Sequence, residues 1–290
     1  MMLMLLKIAH EATFGHVTTV KTNPHYRSGH VDFVWIEIVD LRVLSMELPP
    51  KNADYKDRNY WDKRYEEEES YDWFSKYSAF KDLVEKTISV DSSILMLGCG
   101  NSELSADLYK DGYKNITNID YSPVVISSMI QKYQDMPGMK WEVMDIRDLK
   151  YEDGSYDVVF EKGTLDALLV TEKDPWKMSQ EGTDLMDTIL GEVSRVLKPN
   201  GKFISVTFAQ PHFRRLVYAK KEYNWDFQTL TFGTSFHFFY YVMQKGQPLS
   251  QDIVEANEKH KEKILSLSEK SETTNHDYEE DPNDLFNVML

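Results

Sequence analysis

Two glycines and a row of acids carry the chemistry this sequence offers. In ILMLGCGNS, residues 94–102, four apolar residues run into Gly98-Cys99-Gly100 and then into a helix-like segment. That order reads as a buried strand, a tight glycine turn and a helix start whose backbone amides face a ligand. Asp120 closes the next apolar run, NITNID, twenty residues after Gly100. In a βαβ unit this spacing lets one carboxylate hydrogen-bond a ribose diol while the turn approaches the rest of a nucleoside. A dinucleotide fingerprint needs a third glycine at position 103, where this chain has Glu103. A glutamate is unwelcome beside a pyrophosphate. S-adenosylmethionine has no phosphate and carries a sulfonium cation, so a carboxylate nearby does no harm. Asp145, ending WEVMD, and Glu161-Lys162-Gly163, ending SYDVVFEKG, repeat the pattern. Ligands of open parallel sheets sit outside the carboxyl ends of the strands. There Asp120 fits the ribose hydroxyls and Tyr121 packs along the adenine. Asp145 accepts the adenine exocyclic amine, and the Ile146 N–H donates to a ring nitrogen. The plain alternative is that the glycines only turn the chain and the acids are solvated loop charges.

These positions need a scaffold, and the sequence supplies an alternation. Trp73, Phe74, Tyr77, Phe80, Val84 and Ile88 fall at helical spacing and predict an amphipathic helix. Strands are predicted at 94–97, 116–120, 141–145, 155–163 and 201–208, with helices between them. Ser122-Pro123 reads as N-cap and first residue of a helix reaching about Gln134. Leu185, Ile189, Val193 and Leu197 mark another, stopped by Pro199-Asn200-Gly201. Phe227–Phe232 and Phe236–Met243 then form a hairpin about Gly233-Thr234-Ser235. The expected fold is α/β: a doubly wound, mostly parallel sheet with an antiparallel C-terminal strand hairpin. Three regions are expected: an N-terminal extension over 1–50, poorly ordered or dispensable; a main domain over 51–250; and an acidic C-terminal helix and tail over 251–290. Met46, just before the regular part, is an alternative start.

Composition narrows the partners. The 290 residues carry 48 acids against 33 bases, a formal charge of −15. Such a chain repels nucleic acid and favours a basic protein or a small cation. Its single cysteine, Cys99, excludes an internal disulfide, suits a reducing compartment, and reads as a turn residue rather than a nucleophile. No apolar run approaches the ~18–20 residues that span a bilayer, and the start makes a poor signal peptide. No metal-spaced His/Cys/Asp cluster and no phosphate loop appears. A monomer in the cytoplasm, without metal, nucleic acid or membrane, is the expectation.

The strand-end pattern resembles the seven-strand, Rossmann-like class I S-adenosylmethionine-dependent methyltransferases. NYWDKRY at 59–65, YDWF at 71–74, LGCGNS at 97–102 and EKGTLDALL at 161–169 resemble the lysine methyltransferases of translation elongation factor 1-alpha. The small single-domain member matches better than the larger dual-domain relative, from about Tyr55 to Ser250. The resemblance implies a seven-stranded sheet, S-adenosylmethionine as methyl donor, and a lysine of elongation factor 1-alpha, a basic protein, as acceptor. It also implies cofactor contacts from Trp61, Tyr65, Trp73, Gly98, Asp120, Tyr121, Asp145, Ile146 and Lys162, beside the turn glycine Gly100. Glu161 and Asp166 are the candidates to hold the substrate amine, against structural roles as a cap or an ion-pair partner. Alternatives of other kinds are a small-amine or thiol methyltransferase, a spermidine-synthase-like aminopropyl transferase, and a non-catalytic cofactor-binding module.

Overall fold

The computed structural model describes residues 49, 51–172, 177–234 and 236–274. The extension before residue 49, with Met46, and the acidic tail after 274 lie outside the described residues. A 3-10 turn at Asn52–Lys56 leads into α1 (Arg58–Glu67). There follow α2 (Lys81–Thr87), β1 (Ile94–Leu97), α3 (Leu104–Lys110), β2 (Ile116–Asp120), α4 (Pro123–Lys132), β3 (Met139–Val143) and β4 (Tyr156–Lys162). The chain continues through α5 (Thr164–Leu168), α6 (Gln180–Val196), β5 (Leu197–Thr207) and α7 (Pro211–Tyr218). It closes with β6 (Gln228–Phe232), β7 (Phe238–Gln244) and α8 (Gln251–Thr274).

The seven strands form one sheet in the order β3-β2-β1-β4-β5-β7-β6. The β1–β2, β2–β3, β1–β4 and β4–β5 pairs are parallel, and β7 runs antiparallel between β5 and β6. This is the predicted fold class. All four residues of β1 are buried, as a parallel strand covered on both faces requires. Their alternation splits the core. Ile94 and Met96 join the cluster under α2, α3 and α4, while Leu95 and Leu97 join the one under α6 and α7. Leu97 pairs with Ile119 on one side and Glu161 on the other. The carboxyl ends of β1, β2 and β4 therefore finish level, at the point where strand order reverses.

Local signals mostly placed their elements correctly. The Ser122 hydroxyl caps α4 by accepting the Val125 N–H at 3.4 Å, with Pro123 opening the helix. Three expectations need correction. The aromatic run at 71–80 is not a continuous α-helix: Phe74 and Ser75 have φ of 60° and 101°, which a right-handed helix forbids, and Tyr77–Ala79 make a single 3-10 turn. Lys81–Thr87 is the α-helical part of the stretch, yet Phe74, Tyr77, Phe80, Val84 and Ile88 all enter the core. Strand β3 stops at Val143, so Asp145 stands in the following turn. Helix α6 ends at Val196, and Pro199-Asn200-Gly201 fall within β5, where the register against β4 shifts between Tyr156 and Val158.

Candidate functional site

The glycine turn sits at the centre of the level strand ends. Gly98 and Gly100 have φ of +58° and +50°, a region that glycine enters without strain. A Cβ on Gly98 would lie 2.5 Å from the Thr164 side chain. Thr164 is the brace under the turn, its hydroxyl donating to the carbonyls of Leu97 at 3.0 Å and Gly98 at 3.2 Å. The Asp120 carboxylate accepts the Gly100 N–H and the Ser122 N–H, both at 3.0 Å. It is 3% exposed, and burial pushes its pKa up to about 6 against those stabilising N–H groups.

The segment before the sheet folds over this turn. The Tyr65 hydroxyl would meet a Cβ on Gly100 at 3.0 Å. Trp61 stacks on Tyr65 with ring centroids 5.6 Å apart, and Trp73 meets Trp61 edge-on at 6.2 Å. Tyr121 packs against the same aromatic group beside Tyr55 and Val170. Polar contacts fasten the cover. Ser122 donates to Asp62 of α1, and the Asn101 side-chain amide donates to the Glu68 carbonyl at 2.9 Å. Buried Lys162 donates to the Trp73 carbonyl at 2.7 Å and to Asp72 at 3.2 Å. Burial lowers the Lys162 pKa, while Asp72 works in the opposite direction. Arg64, a residue of NYWDKRY that was given no role, lies over the rings of Tyr71 at 5.0 Å, Trp73 at 5.3 Å and Trp61 at 5.8 Å. Behind the turn, beside Gly98 and Lys162, lies a small cavity of about 20 Å³.

Asp145 is brought less fully into this group. Its carboxylate is gripped by Arg147, Nε to Oδ1 at 2.9 Å, which holds its pKa below the usual carboxylate range. Ile146 is buried in the core beside Ile119.

Glu161 and Asp166 occupy different surroundings from the cofactor residues. Glu161 is fully buried. One oxygen accepts the Thr164 N–H at 3.0 Å and the Leu165 N–H at 3.3 Å, and the other accepts from Ser205. Its carboxylate thus caps α5, a service that Gly163 at the N-cap position cannot provide. Burial, then the charge of Asp166, pushes the Glu161 pKa up to about 7. Asp166 Oδ1 accepts from Arg214 at 2.6 Å and from Thr207 at 2.7 Å. Its Oδ2 is buried and finds no partner among the described residues. Burial raises the Asp166 pKa, and Arg214 opposes that rise. Asp166 and Arg214 line a large cleft, about 1830 Å³, between α5, α6, α7 and α8. Sequence reasoning missed Arg214, because its partner lies 48 residues away and nothing local marks it.

These residues fit S-adenosylmethionine better than a phosphate-bearing nucleotide. The turn at Gly98 and Gly100 carries no Cβ and lies under Tyr65, a carboxylate stands at the ribose position, aromatic faces suit a sulfonium, and the nearby Lys162 is already held by Asp72. Among the described residues no acid, His or Cys cluster is arranged to hold a metal, and no helix is long and apolar enough to cross a membrane.

Fold and crevice together define an α/β methyltransferase domain, and residues 88–271 match a family model described as a methyltransferase domain. The EEF1A lysine methyltransferase 4 of Mus musculus is 47% identical over 207 residues, covering 70% of this chain and 81% of that protein. Its counterpart in Bos taurus is 48% identical over the same shares. The eEF1A lysine and N-terminal methyltransferase of Homo sapiens is 36% identical over 168 residues, 57% of this chain and 23% of that protein. The chain belongs to the EEF1A lysine methyltransferase family.

Proposed function

We propose that this chain transfers methyl groups from S-adenosylmethionine to a lysine of translation elongation factor 1-alpha. The observation that carries this reading is the 47% identity to a relative of that name across 81% of its length. The crevice supports it residue by residue. Asp120 would accept the ribose hydroxyls, and Gly98 and Gly100 would let the backbone approach the nucleoside. Trp61, Tyr65, Trp73 and Tyr121 would cover it, with the Ile146 N–H beside the base and Lys162, bonded to Asp72 and to the Trp73 carbonyl, fixing Trp73 in that cover. When bound, S-adenosylmethionine supplies a sulfonium-activated methyl carbon.

The protein's task is to present a neutral amine in line with that carbon. A free lysine has a pKa near 10.4, so only ~1 in a few thousand is neutral at pH 7. An aromatic, water-poor entrance favours the neutral amine by withholding solvent from the cation. In this reading Asp166 would hold the amine. Arg214 and Thr207 fix one of its oxygens and leave the other, Oδ2, to receive an N–H. Glu161 holds the turn that carries Asp166 and acts by positioning. The chain works as a monomer in the cytoplasm in this reading.

The test is mass spectrometry of purified elongation factor 1-alpha after incubation with the chain and S-adenosylmethionine. A mass gain of one or more methyl groups on a single lysine is expected. Label appearing only in small molecules, or cofactor binding without transfer, would overturn the reading.

A further inference from the structure

A large cleft lies away from the glycine turn. It is walled by α5, α6, α7 and α8, and its volume of about 1830 Å³ exceeds the roughly 300–1,000 Å³ of ordinary small-molecule sites. One lysine side chain cannot fill it. The cleft reaches Val170, which packs with Tyr55 and Trp61 in the aromatic cover of the cofactor crevice. The two concavities are therefore neighbours that meet at α5, whose Thr164 braces the glycine turn and whose Asp166 lines the cleft.

Its lining contains an unusual pair. Asp166 is 6% exposed and Arg214 4%. Asp166 Oδ2 and Arg214 Nε are both buried and lack a hydrogen-bond partner among the described residues. Native proteins seldom leave such groups unpaired, and those left usually await a ligand or water. One needs a donor and the other an acceptor. A polypeptide carrying a lysine offers both within one residue, an amine N–H and a backbone carbonyl. Partly exposed apolar side chains, Leu216 of α7 and Val254 of α8, line the same cleft, as a peptide segment requires. Acids such as Asp187 and Glu258 stand among bases such as Lys220 and Lys261 in the same lining, a mixed surface that suits a polypeptide better than a bare small cation.

We infer that this cleft seats the segment of the acceptor protein that flanks the methylated lysine. Its amine lies at Asp166 Oδ2, and a backbone carbonyl is taken by Arg214 Nε. The inference rests on the lysine methyltransferase reading and adds to it the surface that selects a protein over a free amine.

Leu216→Glu and Val254→Glu place charge on the apolar walls away from both reacting groups. Each is expected to raise KM for elongation factor 1-alpha about tenfold or more while kcat stays within about twofold, the mark of lost ground-state binding. Calorimetric affinity for S-adenosylhomocysteine is expected to be unchanged. If the unaltered chain methylates the factor and both variants keep its KM, the cleft assignment is overturned and the reading of function stands. If the unaltered chain transfers nothing, both are overturned. A second measurement does not depend on the variants' folding: a photo-crosslinking residue at position 216, compared with one at Val143, 52% exposed on the opposite sheet edge. Capture of the factor from position 216 alone supports the cleft. Equal capture from both positions, or capture from 143 alone, overturns it.

Discussion

Asp120 illustrates how one buried charge can be made ready for a ligand. Its pKa is pushed up to about 6 because the crevice removes water from it faster than two backbone N–H groups compensate. A proton then competes with the ligand for the same oxygens. Calorimetric affinity for S-adenosylhomocysteine is expected to fall as pH drops through about 6. Asp120→Asn should bind more weakly and lose that dependence; an unchanged pH profile in the variant would show that another group titrates. Gly98 makes a different demand. Alanine there would have to adopt φ +58° and place its Cβ 2.5 Å from Thr164. Gly98→Ala is expected to cost about 1–3 kcal/mol, read by urea denaturation, and to weaken cofactor binding as well. Both residues were legible in the sequence, because a glycine turn after an apolar run and an acid twenty residues on are local signals. Arg214, Thr207 and Ser205 were not. Their meaning depends on α7 and β5 meeting the turn after β4, and no spacing along the chain reveals that.

Among the elements, α1 is the one whose position decides access. Tyr65 rests against Gly100, and Asp62 and Glu68 tie the helix to the far ends of β1 and β2. A nucleoside reaching the turn must shift this ring. Hydrogen exchange across Arg58–Glu67 is therefore expected to change on adding S-adenosylhomocysteine, while β4 stays protected; no change in α1 would mean that the ligand enters elsewhere. Trp61→Ala should weaken cofactor binding by about 0.5–2 kcal/mol if its face meets the sulfonium side of the ligand. The sequence exposed the strands well, since their apolar runs and glycine boundaries are strong patterns. It misjudged residues 71–80, where aromatics at helical spacing proved to be core residues on an irregular path. Side-chain spacing records which residues are buried. It does not record the left-handed backbone at Phe74 and Ser75 that delivers Trp73 to Gly163 and Lys162.

At the scale of the whole molecule, charge and topology act together. With a net charge of −15, encounter with a basic acceptor should be steered over a Debye length of about 8–10 Å at ordinary salt. KM for the acceptor is expected to rise between 50 and 300 mM salt, about severalfold, while cofactor affinity changes little. Equal sensitivity of both would place the charge effect in the cofactor crevice instead. The place of β7 between β5 and β6 bears on synthesis of the chain. The ribosome delivers β5 long before its outer neighbour exists. Until Gln244 has cleared the exit tunnel, the nascent protein carries a bare, apolar border along Phe203, Ile204 and Val206, the kind of border that recruits strangers. Stop codons placed before residue 238 should therefore yield inclusion bodies, whereas stops after the last sheet residue should not.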